Sequence, residues 1–358
     1  MIAAAFPVLF INEGCAVKTR KTLDQGSKEV VLVDPGVIDN ANEGKLLHLT
    51  GEARSGSTLE DPQFQVKIEA LKLKRDVEMY QWKESQSSKT EKKLGGSEEK
   101  TTSYTYDKVW EKGRIDSSGF KKASEHSNPS PSVHPKTWTA HPITVGAFTL
   151  NQGLIGQIDQ FTPVSIEPNT NIQSTTESIP HLKLINGQYY AGNDPSNPQI
   201  GDLRISLLKV DNATEVSIIA QQHGSTFEPF KGESGSTIEI LEVGNHSAAA
   251  MFAQAQKSNE IKTWVLRGLG FVLMLIGFNL LFKPLSVIAD VLPIAGTIVG
   301  VGTGIVAFLL SAPLSLLTIA SAWVFYRPLI GVPLLLAAGV GIFFLIKKIS
   351  TYKKAQAP

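Results

Sequence analysis

Residues 263–282 read TWVLRGLGFVLMLIGFNLLF, and this stretch decides the architecture. A helix needs about 20 apolar residues to cross a hydrocarbon layer of about 30 Å, and this run supplies them, so it is predicted to span a membrane. Its one charge, Arg267, lies near the start, where a long side chain can snorkel to the headgroups. Trp264 stands where an interfacial aromatic belongs, and Lys283 with Pro284 closes the run.

Toward the C-terminus the chain stays apolar from Leu285 to Ile346, longer than one helix can use. The Arg327-Pro328 pair is the clearest break. Residues 285–293 are read as an interfacial or re-entrant connection. Residues 296–325 are read as one long helix, tilted or kinked at Pro313, because splitting it there leaves a piece of about 13 residues, too short to span. Residues 329–346 make a last span, and 347–358 a basic tail whose lysines (347, 348, 353 and 354) place the C-terminus in the cytoplasm. Counting back puts the preceding domain on the other side of the membrane, in a lumen or periplasm. Lys257, Lys262, Arg267 and Arg327 then fall on the side that the positive-inside rule disfavours.

Toward the N-terminus, residues 13–262 are polar, charged and rich in turn formers, with period-two alternation. The clearest case is FQVKIEALKLKRDVEMYQW from Phe64, read as a strand pair or as one long strand with a register break near Ala70. Seven further segments between residues 45 and 243, and one at 29–33, carry similar signals. Residues 84–103 and 117–135, rich in Ser, Lys, Glu or Pro, are expected to be long mobile loops. Only 246–262 reads as helix in this region. Residues 1–11, MIAAAFPVLFI, are apolar but reach only about 16 Å as a helix, and residues 1–12 are read as the remnant of a longer first transmembrane helix, with a signal-peptide fragment as the alternative. The predicted fold class is an α+β membrane protein: a large β-rich extramembrane domain plus a C-terminal transmembrane helix bundle.

Composition excludes several functions. A net charge of +1 leaves no basic footprint for nucleic acid. The single cysteine, Cys15, forms no intramolecular disulfide. The seven histidines lack metal-ligand spacing, and no nucleophile elbow, phosphate loop or zinc-protease motif is present. No catalytic residue, cofactor or metal is therefore assigned. Two features of the apolar region invite a function. Gly296, Gly300 and Gly304, continued by Ala307 and Ser311, form a small-residue face for helix packing or self-association. Asp290, with the hydroxyls of Thr297, Thr303 and Ser315, forms a possible intramembrane polar site.

Particular stretches carry a family resemblance: FINEGCAVKT from Phe10, EGKLLHLTGEA from Glu43, LKRDVEMYQWKE from Leu73, GDLRISLLKV from Gly201, VSIIAQQHG from Val216, TWVLRGLGFVLMLIGFNLL from Thr263 and SLLTIASAWVFYRPL from Ser315. In these the chain resembles the LUMA proteins, also called transmembrane protein forty-three, with members in animals and bacteria. The resemblance implies four membrane passes, both ends cytoplasmic, and the large domain in a lumen or periplasm. In the family a full first helix precedes the NEG motif, and most of it is missing here. Animal members look like scaffolds of the endoplasmic reticulum and inner nuclear membrane that self-associate and bind emerin and lamins; a bacterial member, in an inner membrane, would have neither partner. The expectation is a non-enzymatic membrane scaffold, homo-oligomeric, that presents its β domain to other membrane proteins. An ion channel or transporter formed by the helices, and a membrane-bound hydrolase, are the alternatives.

Overall fold

The computed structural model describes residues 1–92, 98–166, 179, 181–289, 295–333 and 336. Helices among them are α1 (Ile2–Glu29), the short α2 (Gln152–Gln157), α3 (Ala248–Ala289) and α4 (Ala295–Tyr326). The first strands are β1 (Val31–Leu32), β2 (Leu46–Arg54), β3 (Thr58–Asp61), β4 (Val66–Lys92), β5 (Glu98–Lys112), β6 (Lys136–Thr139), β7 (Thr144–Val145) and β8 (Phe148–Thr149). There follow β9 (Thr162–Pro163), β10 (Leu182–Ile185), β11 (Gln188–Ala191), β12 (Leu203–Asp211), β13 (Thr214–His223), β14 (Thr226–Glu228), β15 (Phe230–Lys231), β16 (Thr237–Ile238) and β17 (Ile240–Val243).

The strands build two main sheets among the described residues. One has the order β14-β13-β2-β7-β8, with β1 on β2 and β17 on β13; the other runs β10-β11-β12-β4-β3, with β5 and β6 on β4 and β9 on β12. A single apolar core fills the space between them, joining Leu47, Leu49, Ile218 and Ala220 of the first sheet to Leu71, Leu73, Ile205 and Leu207 of the second. Adjacent residues of a strand point to opposite faces, so Leu46 and Ile219 face the other way. There they meet Leu23 of α1 and Met251 and Phe252 of α3. The first sheet is thus covered on both faces, which explains the consecutive apolar pairs Leu46-Leu47 and Ile218-Ile219 where simple alternation would put a polar residue.

The segment from Phe64 resolves into one long strand, β4. Its register against β12 slips between Val210 and Asp211, which face Lys72 and Ala70, so the break falls beside Ala70. Two expected loops are corrected. Residues 84–92 continue β4 and pair without interruption with β5 (Glu84 with Tyr106, Lys92 with Glu98). From Ser85 to Glu91 β4 is exposed along its length, so it needs no apolar alternation, and the polar, Thr- and Tyr-containing strands of the ribbon are held by the ladder and by contacts such as Ser88 with Thr102 at 3.1 Å. Residues 117–135 are pinned rather than loose. The buried Asn128 side chain bonds Trp82 N, Trp82 O and Ile115 O at 2.7–3.2 Å, and the His126 ring stacks on Tyr106 with centroids 3.7 Å apart.

The helical part differs from a bundle confined to the C-terminus. α1 does not end near residue 12 but runs on to Glu29, and it packs on both α3 and α4, so the bundle includes the N-terminal helix. The continuation escaped the apolar pattern because small and polar groups carry it: its buried residues from Glu13 onward include Ala16, Val17, Thr22, Leu23 and Gly26, at helical spacing. α3 likewise extends beyond the apolar run at both ends, and α4 is a single helix with Pro313 inside it. Large apolar side chains such as Leu269, Val272, Ile276, Phe308 and Leu317 point outward from α3 and α4, as a surface bathed in lipid requires. The expected span at 329–346 and the tail at 347–358 lie largely or wholly outside the described residues.

Candidate functional site

A polar cluster forms among the described residues where α1, α3 and α4 meet. Glu13 of α1 has no solvent exposure and accepts three hydrogen bonds. Arg267 of α3 supplies two of them in a fork, Nε to Oε1 at 2.6 Å and Nη2 to Oε2 at 3.0 Å. Trp323 of α4 gives the third, Nε1 to Oε2 at 2.7 Å. The Arg267 guanidinium lies 4.6 Å from the Trp264 ring centroid and 5.6 Å from that of Trp323. Charge-assisted, bidentate bonds of this type hold direction as well as energy, and indole faces take a planar cation readily.

Neighbouring contacts fix the helices at the same level. Asn12 Nδ2 donates to Thr263 O at 3.1 Å, and Asn259 Nδ2 donates to Ala16 O at 3.0 Å. Phe10 packs on Phe325 and Tyr326, with centroids 6.0 and 5.4 Å away. Gly14 is needed here: a Cβ on it would stand 2.6 Å from the Tyr326 ring. A buried charge must be paired and hydrogen-bonded, and this one is matched by a residue from each of the other two helices. The arrangement therefore clamps three helices together and leaves the Glu13 oxygens no free role in chemistry.

Arg267 does not snorkel. Its side chain is 14% exposed and turns inward to the Glu13 carboxylate on the adjacent helix. Glu13 lies within the FINEGCAVKT stretch, but the sequence alone assigns it no role; a lone acid at the end of an apolar segment is the available signal. Of the small-residue face, Ala307 and Ser311 are fully buried within the chain, and Ser315 Oγ reaches Met274 Sδ of α3 at 3.4 Å. Gly304 has open space where a Cβ would stand. Gly296, Thr297, Gly300 and Thr303 fall in the first part of α4, whereas Asp290 lies outside the described residues.

The β domain holds a second buried ion pair. Arg75 Nη1 bonds both oxygens of Asp61 at 2.9 and 3.0 Å, its Nε donates to His134 O at 2.9 Å, and its guanidinium lies over Phe64 and Trp138. Burial pushes the Asp61 carboxyl up from the usual range, and the Arg75 charge only partly offsets this. Nearby, Lys72 Nζ donates to Ile158 O at 2.6 Å, and burial holds that amine below its ordinary value. Both cations are tied into the core. Among the described residues no group of three or more His, Cys, Asp or Glu side chains is placed to hold a metal ion. On β4, the Asp76 carboxylate is met by Lys74 and Lys112.

These features define an integral membrane protein in which a β-rich domain rides on helices long and apolar enough to cross a bilayer, three of them among the described residues. The segments that meet at the clamp are the NEG, LRG and WVFY stretches of widely separated sequence. The chain belongs to the Transmembrane protein 43 family, whose model matches residues 79–328. It is 36% identical over 338 residues to Transmembrane protein 43 of Rattus norvegicus, covering 91% of this chain and 82% of the rat protein. The same identity and coverage hold for the Homo sapiens protein. The Transmembrane protein 43 homolog of Drosophila melanogaster is 27% identical over 360 residues, covering 97% of this chain and 92% of that one. No solved structure matches.

Proposed function

We propose that this protein is a non-enzymatic membrane scaffold that self-associates through its helices and presents its β domain, in a lumen or periplasm, to other membrane proteins. The observation that carries the reading is mechanical. α1 and α3 pass without a break from the lipid-facing region into the domain, where Leu23, Met251 and Phe252 pack against Leu46 and Ile219 of the first sheet. A domain held by two continuous helices keeps a fixed height and orientation above the bilayer, which suits presentation of a binding surface rather than a tethered, freely moving module. The buried ion pairs at Glu13 and Asp61 fit the same role, since each spends its charge on internal bonds.

Self-association is assigned to the first part of α4, where Gly296, Gly300 and Gly304 let a second helix approach closely. Chemical crosslinking of the full-length protein in native membranes, followed by affinity capture and identification of the captured chains, tests both parts. Copies of this chain and a reproducible membrane-protein partner are expected, with the self-crosslink lost in Gly300→Leu. A strictly monomeric species, or ion flux through liposomes containing the purified protein, would end the scaffold reading.

A further inference from the structure

Beside the Glu13–Arg267 pair, a cavity of about 330 Å³ opens between α1, α3 and α4. The indoles of Trp264 and Trp323 line it, with Arg20, Arg267 and Arg327 as cations and Glu260 as the acid on its wall. Arg267 is already matched by Glu13. Arg327 makes no ion pair with any described residue, and the one such contact of Arg20 is a solvent-exposed approach of 4.0 Å to Asp24, of a kind worth little. Two guanidinium groups thus face the cavity against the single carboxylate of Glu260.

The position of this cavity selects its occupant. Arg267 sits about one helical turn inside the apolar stretch, since four residues rise about 6 Å, so the cavity straddles the boundary between headgroups and hydrocarbon. On one side lie Arg20 and Glu260; on the other the lipid-facing side chains of α3 and α4 continue, among them Leu269 and Leu316. A ligand that satisfies both sides has an anionic head and an apolar body. Guanidinium groups bind phosphate oxygens in a fork, and indoles belong at the level of the glycerol backbone. A small free anion would leave uncovered the exposed part of Trp264 that lies beyond its contact with Arg267. The cavity also gives a reason for two of the basic residues, Arg267 and Arg327, that the positive-inside rule places on the disfavoured side.

We propose that this cavity binds the headgroup of an anionic phospholipid, with its phosphate on Arg327 and Arg20, its glycerol end between Trp264 and Trp323, and its chains along the outer faces of α3 and α4. The proposal goes beyond the scaffold reading and does not depend on it.

Native mass spectrometry of the full-length protein, released from detergent after incubation with equal amounts of phosphatidylglycerol and phosphatidylcholine, tests it. Both lipids carry the phosphate, but the choline cation is repelled by the guanidinium groups, so wild type is expected to retain phosphatidylglycerol about tenfold over phosphatidylcholine, a difference of about 1.4 kcal/mol. The Arg20→Gln/Arg327→Gln variant is expected to lose that preference while its melting in lipid-free detergent stays that of wild type, because neither residue touches Glu13. Arg327→Lys, which keeps the charge without the fork, is expected to retain part of it. No preference in wild type, or an undiminished one in the double variant, would overturn the assignment. So would inorganic phosphate alone raising the melting temperature as far as phosphatidylglycerol does, which would mark a free-anion site.

Discussion

Glu13 and Arg267 stand 254 positions apart in the chain, yet their side chains lock in a two-bond fork inside the helix bundle. The pair joins the N-terminal helix to the first long apolar span, and Trp323 brings in a third helix through the same carboxylate. Because Glu13 is fully buried and Arg267 largely so, the cost of breaking the pair exceeds the net benefit of making it: one partner removed leaves a charge in a place that solvates it poorly. Glu13→Ala or Arg267→Leu is therefore expected to destabilise the protein by about 3–5 kcal/mol, and Glu13→Leu with Arg267→Met to recover most of that loss. Thermal unfolding of the four proteins in one detergent measures this; equal losses in the single and double variants would contradict it.

The seam between α1 and α3 depends on a missing side chain. A Cβ on Gly270 would stand 2.5 Å from Leu9, whose side chain is completely buried. Gly270→Val is expected to cost about 1–3 kcal/mol through overpacking. Leu9→Ala opens the space, so the double variant should be more stable than the sum of the two single losses predicts. Denaturant unfolding in detergent decides between this and simple additivity.

The segment 117–135 owes its order to Asn128, whose amide closes on the backbone of Trp82 and Ile115. Asn128→Ala strands those backbone groups and is expected to cost about 1–3 kcal/mol. Hydrogen exchange should then quicken in 117–135 and around Trp82 while β12 and β13 keep their protection. Unchanged exchange in the segment would show that His126 and its ring contacts suffice.

Tyr190 supplies a pH test within the extramembrane domain. Burial raises its phenol well above the ordinary value, helped by the bond from its hydroxyl to Asp202 at 2.6 Å. The folded state thus holds this proton to higher pH than the unfolded chain does. Its contribution is whole below the ordinary tyrosine pKa of about 10 and is lost as pH rises through the folded value. The stability difference between wild type and Tyr190→Phe should be about 1.5–3 kcal/mol at neutral pH and shrink in strong alkali. Denaturant midpoints across a pH series read it directly; a difference that grows with pH would reverse the sign.

The amino-acid sequence by itself determined that the chain joins a β-rich domain to helices long and apolar enough to cross a membrane. Apolar runs of spanning length report their solvent residue by residue, and alternation in segments such as the one from Phe64 reports a half-buried strand, down to the break beside Ala70. Its signal fails where stabilisation comes from groups that are not apolar. The ribbon of β4 and β5 is held by its own ladder, residues 13–29 of α1 by small and polar packing, and residues 117–135 by the Asn128 amide and the His126 ring. Only the tertiary structure decided that the N-terminal helix belongs to the bundle and that Glu13, Arg267 and Trp323 form one clamp. The reason is distance along the chain: a carboxylate, a guanidinium and an indole on three helices carry no mark of one another until the helices pack.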